Sequence, residues 1–205
     1  RRCGHDDHQG YIAKMPPFPY ESPEIVVRKA PSCPVYLLLD HLQDPHNFGT
    51  ILRSAAAFGV DAVFVPNQGQ VKVTSAVARS SAGAVNQVAI AEVESLADWA
   101  EQLRRKGVRI VATAPDASRP IFDCTWTGPS AVVLGSETRG VSPEVLSVCN
   151  EQVVIPQSGE LNSLNVAACA SICLYEISRQ RWLNSPRRPA SSSAAPRGPG
   201  GCPPP

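Results

Sequence analysis

The chain has 205 residues, 43% of them hydrophobic and 18% charged, with a net charge of +1. That suffices for one full domain with extended ends and is too short for two large ones. Near-neutrality excludes a global basic field, so any nucleic-acid surface must be a local patch. No apolar stretch approaches the ~18 residues that a membrane-spanning helix needs.

The opening RRCGHDDHQG has no hydrophobic segment behind it and does not read as a secretory signal. A start at Arg1 rather than Met suggests a piece of something longer. Residues 1–34, rich in Pro and polar types, read as a connector. VYLLLD (35–40) is a continuous apolar run, the pattern of a strand covered on both faces. NFGTILRSAAAFG (47–59) is helical, with Asn47 as candidate N-cap and Gly59 as stop. DAVFVP (61–66) is a second strand, VTSAVARSSAGA (73–84) a short helix and VAIAEV (88–93) a third strand. ESLADWAEQLRRKG (94–107) is an amphipathic helix with acids early, bases late and Gly107 at its end. Strands follow at 108–114 and 131–135, then a short helix at 142–149 and a sixth strand at 152–156. SLNVAACASICLYEISRQRW (163–182) closes the domain as a long helix. Residues 183–205 are rich in Pro, Ser and Arg and are expected to be disordered. Strands alternating with helices predict an α/β fold around a mostly parallel sheet.

Seven cysteines, none spaced C-x-x-C, argue against a disulfide framework. Cys169 and Cys173, four apart in an apolar helical pattern, read as small core residues. Cys3, His5 and His8 are metal-capable types, but no fourth ligand accompanies them and no metal site is expected.

In open α/β sheets, ligands bind beyond the carboxyl ends of strands. Three polar clusters fall there: DHLQDPHNFG, GSETRG and PQSGELNSLN. No G-x-G-x-x-G turn follows the first strand and no Walker loop is present, which excludes the usual dinucleotide and nucleotide sites. At ~100° per residue, Ile51, Leu52, Ala55, Ala56 and Phe58 share one arc, and Arg53 projects from the other side. Alone, Arg53 could be a solvated arginine, Asn47 a plain cap and Glu137 a turn acid. Asn162 or Ser163 would cap the last helix. Asn165 has less structural reason to be there, since the helix start is otherwise apolar.

Taken together, DHLQDPHNFGTILRSAAAFGVDAVFVP, VVLGSETRGVSPEVLSVCNEQVVIP and NSLNVAACASICLYEISRQR resemble, in order, the three motifs of the SpoU-type (SPOUT superfamily) RNA ribose 2′-O-methyltransferases. The resemblance covers roughly residues 35–181. His8-Gln9-Gly10 is similar to the junction between that family's N-terminal RNA-binding domain and its catalytic domain. The resemblance implies a sheet whose C-terminal segment threads a loop as a deep trefoil knot, an exception to the rule against knots. It implies a homodimer, S-adenosylmethionine as cofactor and methylation of a ribose 2′-hydroxyl in rRNA or tRNA. The family's catalytic positions fall on Asn47, Arg53, Glu137 and Asn165. Its cofactor positions fall on Thr113, Ala114, Leu134, Gly135, Glu137, Ile155, Gln157, Ser163 and Leu164, with Gly135 expected to let backbone approach the ligand. Arg53, Arg79 and Arg139 are expected to meet RNA, with Arg104, Arg105 and Lys106 as further candidates.

A guanidinium is almost always protonated, so Arg53 is expected to hold phosphate and stabilise a developing alkoxide rather than remove a proton. The tail's composition looks eukaryotic and, with the family resemblance, points to a large-subunit rRNA guanosine methyltransferase of the mitochondrial matrix, with cytoplasm or nucleus as alternatives. The competing readings are a tRNA 2′-O-methyltransferase and a non-catalytic RNA-binding or ribosome-assembly protein on the same fold.

Overall fold

The computed structural model describes residues 16–159 and 164–184. Its strands are β1 (Val35–Asp40), β2 (Ala62–Pro66), β3 (Ala89–Val93), β4 (Arg109–Thr113), β5 (Ser130–Gly135) and β6 (Glu151–Val153). They form one sheet in the order β3-β2-β1-β5-β4-β6, and every pairing is parallel. The helices are α1 (Pro23–Lys29), α2 (Pro45–Ala57), α3 (Ser75–Ser80), α4 (Leu96–Arg105), α5 (Pro143–Val148) and α6 (Val166–Asn184). The α/β reading and all six expected strands hold, with boundaries shifted by up to three residues.

Strand alternation divides the core between two layers. Val35, Leu37, Leu39, Val132 and Leu134 point to the layer holding Ile51 and Leu52 of α2 and Leu174 and Ile177 of α6. Tyr36, Leu38, Ala131 and Val133 point to the other, against Leu96, Trp99 and Leu103 of α4 and Val145 of α5. Each large apolar side chain so buried contributes about 1.5–3 kcal/mol relative to exposure.

Three local expectations change. Helix α2 begins at Pro45 and is capped by Asp44, whose carboxylate accepts the His46 N–H, so Asn47 lies inside the first turn rather than at the cap. Residues 16–34, read as connector, join the domain: Glu21 N–H donates to the Ile90 carbonyl, and Phe18 and Tyr20 pack on the core. Within that stretch α1 starts with Ser22 as cap and Pro23 in its first turn. The pattern hid it because Val26 alone of its seven residues is buried. His8-Gln9-Gly10, Cys3, His5, Asn162, Ser163 and the tail beyond 184 lie outside the described residues.

The chain moves outward from β1 through β2 to β3, and α4 then returns it across the sheet to β4. Strand β5 enters between β4 and β1, and its register runs from Val35↔Ser130 to Asp40↔Gly135. The carboxyl ends of β1 and β5 therefore finish side by side, where the strand order reverses and ligands are expected in such sheets.

Candidate functional site

The loop after β5 folds back on itself. Ser136 and Gly140 exchange both backbone hydrogen bonds at 3.1 and 2.9 Å, and the Ser136 hydroxyl accepts the Arg139 N–H. Glu137 and Thr138 form the exposed tip. A Cβ on Gly135 would lie 1.9 Å from the Gly140 carbonyl carbon and 2.1 Å from the Val141 nitrogen. The glycine is thus required by the return of the protein's own loop, and it also lines the cleft described below. Gly49 plays a similar part in α2, where a Cβ would fall 1.9 Å from Ser80 Oγ of α3.

Three of the four expected catalytic residues meet in one chain of hydrogen bonds. Asn165 Nδ2 donates to Asn47 Oδ1 at 3.0 Å, and Asn47 Nδ2 donates to Glu137 Oε1 at 2.5 Å. Asn165 Oδ1 in turn accepts from the Ala167 and Ala168 N–H groups at 2.9 and 3.3 Å. The direction of the chain is fixed at both ends: ionised Glu137 can only accept, and the backbone amides of α6 can only donate. Asn165 thereby caps α6, a structural role that the sequence reading gave to Asn162 or Ser163. Asn47 is buried, so its paired amide fixes the tip of the 136–140 loop against α2.

Arg53 stands apart. It is exposed on α2, does not line the cleft, and has no hydrogen-bond or ion-pair partner among the described residues. Its neighbour Ser54 bonds Ser171 of α6 at 2.8 Å. Arg79 is also exposed and lines a separate, smaller hollow with Pro45, His46 and Ser80. Arg104 and Arg105 are both tied to Glu101.

Beside the Asn–Asn–Glu chain lies a cleft of about 650 Å³ over the carboxyl ends of β4, β5 and β6. Of the expected cofactor positions, Thr113, Ala114, Gly135, Glu137, Ile155, Gln157 and Leu164 line it, as does Arg139. Leu134 does not; its side chain is fully buried in the core layer facing α2 and α6, because strand alternation turns it away from the cleft. Ser163 lies outside the described residues.

The cleft also draws on Asp116, Ser136 and Gln152, which the sequence did not single out, and on Cys169. Asp116 follows β4 by three residues, a position that could have marked it. Cys169, read as core with Cys173, is only half-buried and forms wall, whereas Cys173 is fully buried. The Cys173 thiol beside it holds the Cys169 thiol below its usual pKa; burial opposes this, and the Thr113 hydroxyl adds to it. Among the described residues no group of three or more His, Cys, Asp or Glu could hold a metal ion.

Residues 34–175 match the model of the SpoU rRNA Methylase family. An uncharacterized tRNA/rRNA methyltransferase of Mycobacterium avium is 37% identical over 187 residues, 88% of this chain and 59% of that protein. The chain thus spans less than two thirds of that relative. The 23S rRNA (guanosine-2′-O-)-methyltransferase RlmB of Vibrio vulnificus is 36% identical over 179 residues, 85% of this chain and 72% of that one. Among solved structures, the SpoU methyltransferase AviRb of Streptomyces viridochromogenes in complex with AdoMet is 30% identical, with a TM-score of 0.73 over 80% of this chain and 66% of that one. The TrmH/SpoU tRNA modifying enzyme of A. aeolicus is 28% identical, with a TM-score of 0.69 over 78% and 84%. With the family match over residues 34–175 and the shared fold in agreement, the chain belongs to the SpoU rRNA methylase family.

Proposed function

We propose that this chain methylates a ribose 2′-hydroxyl of a guanosine in large-subunit rRNA, using S-adenosylmethionine, as a homodimer of the mitochondrial matrix. The observation that carries the reading is the Asn165–Asn47–Glu137 chain at the edge of the cleft. It fixes one carboxylate oxygen of Glu137 and leaves Oε2 open among the described residues, where it can accept from a ribose hydroxyl and orient it.

The residues present fit the cofactor. A cleft of about 650 Å³ lies within the range of small-molecule sites. Ile155 and Leu164 offer apolar wall, while Thr113, Gln157 and Glu137 offer polar contacts. S-adenosylmethionine, when bound, supplies the electrophilic methyl group. The Arg53 guanidinium holds RNA phosphate and steadies negative charge developing on the attacking 2′-oxygen.

Two exposed features support pairing with a second copy. Along α6, Ala168, Ile172, Tyr175, Arg179 and Trp182 fall on one arc about 80° wide. Of these, Tyr175 and Trp182 are 57% and 77% exposed. The Phe58–Tyr175 ring contact and the Ser54–Ser171 bond set Arg53's helix beside that stripe, and in this reading Arg53 acts in the pocket of the second copy. The C-terminal knot belongs to the same proposal and rests on the family resemblance. The guanosine and large-subunit target rest on the similarity to RlmB, and the mitochondrial setting on the eukaryotic character of the tail.

Calorimetry with S-adenosylmethionine, followed by transfer of its labelled methyl group to unmodified rRNA and tRNA transcripts, tests the reading. Binding with label on large-subunit rRNA is expected. Label on tRNA alone selects the alternative substrate, and no cofactor binding selects a non-catalytic RNA-binding protein.

A further inference from the structure

We infer that His41 is a substrate-positioning residue whose Nε2 is a fixed hydrogen-bond acceptor for a donor group of the RNA. The inference rests on the methyl-transfer reading above and concerns the opposite side of the site from the cofactor cleft. Asp40, the last residue of β1, is buried, with a relative exposure of 1%. Its Oδ2 accepts the Ser142 N–H at 2.6 Å, and its Oδ1 lies 2.6 Å from His41 Nδ1. An ionised carboxylate offers only acceptors, so the proton between them sits on Nδ1. In the neutral ring this leaves a lone pair at Nε2.

The surroundings hold that ring in place. His41 has φ +60, a left-handed backbone that glycine or asparagine adopts more readily than histidine. A Cβ on Gly69 would lie 2.6 Å from His41 Cδ2, so the ring rests against the backbone after β2. Gln43 Nε2 donates to the carbonyls of both His41 and Gly69, at 3.1 and 2.6 Å, and clamps the two loops together. Yet the His41 side chain remains 51% exposed. A strained backbone, a buried carboxylate and a clamped loop together hold a half-exposed ring whose Cδ2–Nε2 edge lies beside Gly69, and strain of that kind gathers at functional positions.

The placement ties His41 to the site. Asp40 pairs in register with Gly135 and holds Ser142, so it grips both ends of the loop that carries Glu137. Gln43, His46, Asn67 and Gln68, which follow β1 and β2 in the chain, are exposed. Amide and imidazole groups suit nucleobase edges and ribose hydroxyls. A phosphate diester carries no hydrogen to donate and cannot satisfy an acceptor. A donor is therefore required, and among those of RNA the proposed guanosine target offers its exocyclic amine and a ribose 2′-hydroxyl.

The test compares wild type with His41→Gly, which removes the ring and frees the backbone. Thermal stability is expected to stay level or rise, and S-adenosylmethionine affinity to stay unchanged. The Kd and KM for an unmodified large-subunit rRNA transcript are expected to rise about threefold to tenfold, the loss of one hydrogen bond. A transcript with inosine in place of guanosine, or one with 2′-deoxyguanosine, erases the difference between wild type and variant and so identifies the donor. Unchanged RNA binding by His41→Gly overturns the inference, as does a gap that neither transcript narrows. If wild type binds RNA without transferring methyl, the proposed function fails while the binding comparison still decides the role of His41. Absence of RNA binding by wild type overturns both.

Discussion

Asn165 carries two jobs that substitutions can separate. Its Oδ1 caps α6 and its Nδ2 steers Asn47 toward Glu137. Asn165→Ala loses both, so stability should drop by about 0.5–2 kcal/mol along with turnover. Asn165→Asp keeps an acceptor for the helix amides, and a carboxylate there suits the helix dipole. It cannot donate to Asn47, however, and should slow methyl transfer about tenfold while melting near wild type. Thermal melts and initial rates on both variants check this; a full rate for the Asp variant would reduce Asn165 to a cap. The sequence showed Asn47, Glu137 and Asn165 as polar residues at three strand ends, but not that they touch. They are separated by 90 and 118 positions along the chain, and no local periodicity reports a contact at that range. Leu134 was misplaced for a related reason: its motif borders the cleft, but strand alternation sends that one side chain into the core.

At the scale of elements, apolar runs and alternation made the strands legible, because a strand buried on both faces leaves a run such as VYLLLD. Helix α1 escaped because it covers the sheet edge with little buried surface. The loop after β5 was legible as a candidate site, though the reason for its glycine was not. Crowding between residues 135 and 140 is a matter of tertiary backbone, and the sequence offers only the two glycines. Gly135→Ala should destabilise the fold by about 1–3 kcal/mol, since the Cβ meets backbone that cannot swing aside as a side chain would. It should also weaken S-adenosylmethionine binding by displacing the 136–140 loop. Denaturant titration and calorimetry measure the two effects, and a variant with wild-type values in both would refute the close packing. At the far end of the sheet, Arg181 of α6 donates to the carbonyls of Cys33, Trp126 and Gly128 at 2.7–3.0 Å and joins the starts of β1 and β5. The third motif ends on this arginine, but the sequence reading gave it no role.

For the whole molecule, the α6 stripe and the isolated Arg53 raise the same issue. Among the described residues, one chain leaves a guanidinium outside the cleft and an apolar face uncovered. Replacing Tyr175 and Trp182 together by Glu should halve the mass in sedimentation and lower methyl transfer about 100-fold, the scale of losing a positioned group. Cofactor binding in the variant should persist if its cleft is self-contained. A wild type that sediments as a monomer with full activity would refute the pairing. The order of the sheet has a further consequence, for synthesis at the ribosome. Strand β1 is made early, but its partner β5 is separated from it by about a hundred residues of chain, and β5 must insert between two strands already made. Until residue 135 has emerged, β1 and β4 each carry an open edge able to pair with any strand nearby. The segment that joins the two halves of the sheet also brings the loop bearing Glu137, while the outer edge of β4 waits for β6. The nascent chain therefore unites its sheet and begins to assemble its site in the same late step.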